Sequence, residues 1–313
     1  MKIVIWGYPL HTHTHSYIHN SFKKAFEYLG HEVHWFHDGD YPEDFDYDDC
    51  VFLTEGFADK NIPLRETSTY FVHVCVNPKK YLGKVKKLID VRYLQESMDN
   101  DNYDFVLDRD NCTQLDRGVL YDNKSDEYDI IYAAWATDLL PHEIDFEWRN
   151  IERESIYYFI GSTSGEGRFA NAHLINEFAG YCKRAGVGFV YINPWSTPIS
   201  DEENRILTQK SWISPDFRNA THKKWGYLAC RLVKSISYGQ LGMTNSPINA
   251  KFVDDSVICE DNIFDLFEAG VKKKDDKDLI KHQMNVVKYN HTYINRINGM
   301  LKVYDTRSIS SGL

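Results

Sequence analysis

Apolar residues in the first thirty positions follow two different periods. A continuous run at 2–6, KIVIW, stops at Gly7, and SFKKAFEYLG then sets Phe22, Ala25, Phe26 and Leu29 at helical spacing before Gly30. HEVHWFHD follows as a second strand. Strand, loop, helix, glycine, strand opens a βαβ unit, which demands parallel strands and a right-handed crossover. Further strands are expected at CVFLTEG (50–56), TYFVHVCV (69–76), YDFVLD (103–108) and YDIIYAAWATD (128–138). The segment 79–98, KKYLGKVKKLIDVRYLQESM, reads as helix, interrupted at Gly83. The first half is therefore expected to be α/β.

Around 139–155 the strand pattern yields to an acidic, polar stretch punctuated by Pro141, which reads as a linker. The pattern then restarts with IYYFIGS (156–162) as strand, RFANAHLINEFAGYCKRAG as helix and VGFVYINPW (187–195) as strand. GYLACRLVKSISYG (226–239) follows as helix and LGMTNS (241–246) as strand and loop. Residues 275–304 carry helical spacings for one or two closing helices, and the last residues, DTRSISSGL, read as a frayed tail. The expected organisation is a Rossmann-like domain at 1–145, a second at 146–285, and a helix and tail at 286–313 returning to the first domain.

Composition narrows the function classes. At 313 residues the chain can bury two cores, and 42% hydrophobic with 14% aromatic residues excludes a disordered chain. A formal charge of −10 disfavours attraction to nucleic acid, so any anion site must be a local basic pocket. No apolar run reaches the length of a spanning helix, so no transmembrane segment is expected. Six scattered cysteines without a C-x-x-C pair, and no secretory leader before MKIVIWG, point to free thiols in the cytoplasm.

Two stretches carry candidate chemistry. In a helix over 226–237, Tyr227, Arg231 and Lys234 would share one face, and Gly226 at an uncapped start would let a diphosphate reach free amides. A surface helix with two solvated charges has the same spacing. Small and polar residues recur at expected strand ends in this half: Gly161, Ser162 and Arg168, then Asn193 and Trp195, then Thr244, Asn245, Ser246 and Asn249. Ligands of open parallel sheets bind beyond such ends. Turn formers of this kind are also common without any ligand.

The block GYLACRLVKSISYGQLGMTNS, with the WGY loop, the ATDLLP segment and two α/β halves, resembles the GT-B glycosyltransferases. The likeness is to those of large algal viruses, of the chlorovirus xylosyltransferase type. It implies two Rossmann-like domains facing across a cleft, with C-terminal helices packing back toward the N-terminal domain. It also implies metal-independent transfer from a nucleotide-diphosphate sugar, a uridine diphosphate sugar with xylose foremost, to a glycan hydroxyl, with no cofactor. It implies SWISPDF (211–217), with Ser214 and Pro215, near the base, and Gly226, Tyr227, Arg231 and Lys234 near diphosphate and ribose; the strand-end Gly161, Ser162, Asn193, Thr244, Asn245 and Ser246 complete the expected donor-binding set. Lys234 stands where many relatives carry a ribose-binding Glu.

WGYPLHTHTHSYIHNSF (6–22) is the second stretch, and as the first βα loop it would face the acceptor side of the cleft. An inverting transfer needs a base within reach of the acceptor hydroxyl, and imidazole titrates in the right range. His13 or His15 is the expected base, with His11 and His19 supporting it. Tyr8 and Tyr17 would stack sugar, and Glu55 and Asp138 are the alternative bases on the acceptor side. A metallophosphoesterase of PHP type also begins with alternating histidines, but it needs later ligand motifs, and His73 reads as part of a strand. The expected metal set is none. A non-catalytic binding module on the same fold is the other alternative.

Overall fold

The computed structural model describes residues 1–124 and 127–305; the stretch beyond Asp305, where the sequence suggests a frayed tail, lies outside them. The chain forms two compact units, Met1–Trp135 joined by the segment starting at Tyr293, and Ala136–Thr292. Both are α/β. No described helix is long and apolar enough to cross a membrane.

The first unit is built on an eight-stranded sheet. Its strands are β1 (Lys2–Trp6), β2 (Glu32–Phe36), β3 (Val51–Glu55), β4 (Thr69–His73), β5 (Lys87–Tyr93), β8 (Cys112–Asp116), β9 (Val119–Asp122) and β10 (Asp129–Ala133), with a separate small hairpin of β6 (Ser97–Met98) and β7 (Phe105–Val106). The order is β2-β1-β3-β4-β5-β10-β9-β8. The six strands from β2 to β10 run parallel, and β9 and β8 close the edge antiparallel. Ile3, Val4, Ile5 and Trp6 are fully buried, as a central parallel strand covered on both faces requires. The chain leaves β1 toward β2 through helix α1 (Thr14–Tyr28) and returns on the other side as β3, so the order reverses at β1. Such a switch point opens a crevice at the carboxyl ends of β1 and β3.

The helix expected at 79–98 is not formed. A short 3-10 turn at Pro78–Lys80 precedes β5, whose Leu88, Ile89, Asp90 and Val91 are all buried between β4 and β10. A strand covered on both faces shows no alternation, and its unbroken run imitates helical spacing.

The second unit holds β11 (Ile156–Ile160) paired parallel with β12 (Gly188–Ile192), and β13 (Met243–Thr244) paired parallel with β14 (Ile258–Cys259). Extended segment 212–217 joins the pairs: Trp212 N donates to Ile156 O at 2.8 Å and Asp216 N to Met243 O at 2.9 Å. Its helices are α2 (Ala172–Arg184), α3 (Asp201–Lys210), α4 (Ala220–Trp225), α5 (Cys230–Ser237), α6 (Pro247–Phe252), α7 (Ile263–Lys273) and α8 (Lys277–Asn290). Phe159, Phe178, Phe217 and Phe267 form one core, and Ile236, Tyr238, Met284 and Val287 belong to another. The last helix, α9 (Tyr293–Asp305), belongs to the first unit. Its fully buried Arg296 donates to the carbonyls of Ala134, Arg117 and Trp135.

Candidate functional site

Imidazoles and one carboxylate converge at the carboxyl ends of β1, β3, β4 and β5. His13 is the N-cap of α1, its ring accepting the His15 amide at 3.2 Å, which leaves His15 in the first helical turn. Glu55 ends β3 and His73 ends β4, where they are register partners, and Tyr93 ends β5. His15 Nδ1 lies 2.6 Å from Glu55 Oε1, and its Nε2 lies 3.3 Å from the Tyr93 hydroxyl. His19, one turn further along α1, brings Nε2 to 3.5 Å from Glu55 Oε2 without hydrogen-bond geometry. His73 packs edge-on to His15 at 5.3 Å and to Tyr93 at 4.6 Å, and lies 4.8 Å from Trp135.

Gly7 makes room for this arrangement. A Cβ there would sit 2.1 Å from His19 Cε1, so only glycine lets β1 pass the buried ring. Val74, just after His73, has a φ of 52°, a left-handed conformation that costs a β-branched residue about 1–3 kcal/mol. Backbone held against its preference beside a polar cluster is common where a site has been shaped.

The electrostatics favour one anion among neutral rings. Burial pushes the Glu55 carboxyl up, but the His15 hydrogen bond and the neighbouring imidazoles outweigh it, and the net shift is downward. Burial pulls His19 down to about 4 and His73 to about 3, so both are neutral at pH 7. His13 is also lowered, by burial first and by His15 second. His15 is the imidazole held on both sides, its Nδ1 by a carboxylate and its Nε2 by the Tyr93 hydroxyl.

A cavity of about 20 Å³, room for one water molecule, touches His15, His19, Glu55, His73 and Trp135. Four buried atoms here have no hydrogen-bond partner: His19 Nδ1, Thr54 Oγ1, Glu55 Oε2 and His73 Nε2. Donor atoms of His13, His15 and Glu55 also come within 4.8 Å of one another, close enough for a metal ion. The His13 and His15 Nδ1 atoms are already engaged, in the α1 cap and in the hydrogen bond with Glu55.

Of the expected acceptor-side residues, Tyr8 stacks on His13 at 4.0 Å and Tyr17 meets His11 at 3.1 Å, both near the loop. His11 itself has a φ of 69°. Asp138 falls in the second unit. There both its oxygens accept from the Tyr238 hydroxyl at 2.7 Å, and Lys234 pairs with it at 3.2 Å.

The expected donor-side residues part into two groups. The helix foreseen at 226–237 starts only at Cys230, because Gly226 caps α4 in a left-handed conformation; Tyr227 lies in the turn and is not on the helical face. Arg231 remains on α5, its guanidinium 4.4 Å from the Phe159 ring and against Gly161, where a Cβ would meet Nη2 at 2.2 Å. Burial and Arg218 lower its pKa. Exposed Ser162 and half-buried Asn193 sit in the loops after β11 and β12. By contrast, Thr244, Asn245 and Ser246 are buried, with Thr244 and Asn249 donating to Asp216 and Asn245 binding the Arg218 backbone. Asp216 holds Arg218 in a buried ion pair. Ser214 shares a hydrogen bond with Ser235 at 3.0 Å, and Pro215 is buried. Burial pulls Lys234 down, but its pairing with Asp138 dominates and raises it.

Sequence reasoning missed His73, Tyr93 and Trp135 as members of the first-unit cluster. For His73 the signal was present, since TYFVH ends an expected strand on a polar residue, the criterion that singled out Asn193; Tyr93 was hidden in the segment read as helix.

No protein-family model matches the chain. Over 79 residues it is 27% identical to phosphosulfolactate synthase of Bacillus subtilis (strain 168), a stretch that covers 25% of this chain and only 31% of that relative's length. Among solved structures it overlays on Acinetobacter baumannii MurG over 96% of this chain and 98% of the other, with 8% identity and a TM-score of 0.40. It overlays on the ABC domain from Streptococcus pneumonia, in complex with L-Trp, over 100% and 88%, with 10% identity and a TM-score of 0.21. Both scores are too low to carry an argument about fold or activity.

Proposed function

We propose that the protein is a glycosyltransferase that moves a sugar from a nucleotide-diphosphate donor to a glycan hydroxyl, with His15 as the base. The observation that carries this reading is the 2.6 Å contact of His15 Nδ1 with buried Glu55. A carboxylate on one ring nitrogen fixes the tautomer with its lone pair on the other, and stabilises the imidazolium formed when that nitrogen takes a proton. The sugar donor comes from the resemblance of the 226–246 block, a uridine diphosphate sugar with xylose as first candidate.

In the reaction the acceptor O–H, taking the place of the Tyr93 hydroxyl at His15 Nε2, loses its proton to that nitrogen while its oxygen bonds to the anomeric carbon. The bond from that carbon to the diphosphate breaks, and the diphosphate leaves with the electron pair. Attack opposite the leaving group inverts the anomeric centre. Arg231, a cation making no ion pair among the described residues, is the group suited to the diphosphate charge. No step calls for a metal ion.

A thermal-shift screen of nucleotide sugars tests the reading, since a ligand that binds only the folded state raises the melting temperature. A rise with uridine diphosphate sugars, absent with free sugars, is expected. A flat response to every nucleotide sugar contradicts it. Metal analysis of the purified protein separates it from the competing metal centre at His13, His15 and Glu55, for which about one zinc per chain would speak.

A further inference from the structure

His73 is the ring that the sugar-transfer chemistry leaves unused, although it sits at the centre of the cluster. It is buried, it is the β4 register partner of Glu55, and its ring touches those of His15, Tyr93 and Trp135. Its Nε2 has no partner, and neither has Glu55 Oε2; both residues line the cavity that has room for one water. A buried polar nitrogen left unmatched is costly, and phenylalanine would fill the same space among aromatic neighbours without that cost. The strained turn at Val74 fixes the chain immediately behind it.

We infer that His73 is a positioning residue for the His15–Glu55 pair, supporting the His15 ring edge-on and, through a water held in the cavity, the Glu55 oxygen that His15 does not take. Buried at 6% exposure, it touches no substrate itself. Such a water, bridging Glu55 Oε2 and His73 Nε2, would keep Oε1 turned to His15. The inference rests on the reading of His15 as the base for its kinetic consequence, but not for its structural one.

The test compares His73→Phe and His73→Gln with the parent protein. The ring-nitrogen spectra of His15, recorded on ¹⁵N-histidine-labelled protein, report its tautomer directly. UDP release from UDP-xylose reports turnover. In the parent, His15 is expected as the Nδ1–H tautomer alone. In His73→Phe a tautomer mixture is expected, with kcat about tenfold to a hundredfold lower and KM unchanged within about twofold. His73→Gln, which keeps a polar end at the cavity, should recover part of both. A folded His73→Phe protein with the parent's His15 spectrum overturns the inference, whatever the kinetics. Failure of both variants to fold also overturns it, since His73 would then be a core residue only. An altered His15 spectrum without UDP release in any protein sustains the positioning role and removes the sugar-transfer reading.

Discussion

A carboxylate buried as deeply as Glu55 is tolerable only where its charge is answered, and here the hydrogen bond with His15 answers it, among rings that burial keeps neutral. This makes the cluster acid-sensitive. His19 and His73 have folded pKa values of about 4 and about 3, below the ordinary histidine value of 6.5. Below pH 6.5 the unfolded chain binds protons that the folded chain refuses, so stability is full above that pH and is lost as pH falls toward 4. The slope expected is about 1.4 kcal/mol per pH unit for each residue. Urea denaturation between pH 7 and pH 4.5 measures it; a midpoint independent of pH across that window would count against neutral buried rings. Gly7→Ala tests the packing: the new methyl group displaces His19, and a loss of about 1–3 kcal/mol in urea denaturation is expected. At this scale the sequence was half legible. The loop histidines announce themselves by density, and Glu55 stood among the candidates, but His73 looks like any strand residue until register sets it beside Glu55.

Elements were read well where period and punctuation agree. The opening βαβ, α2, α8 and β11 stand where the pattern sets them. They were misread where burial on both faces erased the period, as in β5, or where a glycine expected to open a helix at 226 instead caps α4, so that α5 begins only at Cys230. The second misreading separates residues that had been grouped. Arg231 and Lys234 share α5, yet only Lys234 is held in an ion pair, with Asp138. Arg231→Ala is therefore expected to keep the parent's melting temperature and to weaken UDP binding about tenfold to a hundredfold by calorimetry. Lys234→Ala leaves Asp138 without its cation and is expected to cost about 3 kcal/mol of stability instead. Equal UDP affinity in the parent and Arg231→Ala proteins would remove the diphosphate assignment.

Over the whole chain, α/β character was legible because alternating strand and helix patterns admit few other architectures. The antiparallel β8–β9 edge was not, because CTQLD is polar and half exposed and VLYD, though it buries Val119, is too short to leave a clear pattern. Nor could the sequence show that the first unit's polar strand ends meet at a reversal of strand order, since that is a property of the sheet and of no single segment. With a net charge of −10, binding of an anionic donor has to be local, which makes proton abstraction and diphosphate binding separable by single substitutions. The most direct measurement is therefore the rate of sugar transfer from UDP-xylose to a glycan acceptor by His15→Asn protein beside the parent, with UDP affinity and melting temperature as controls. The account predicts a folded protein with a lowered melting temperature, since Glu55 loses its hydrogen bond, unchanged UDP affinity, and a rate lower by about a hundredfold to ten-thousandfold; a His15→Asn protein that transfers sugar at the parent's rate would contradict it.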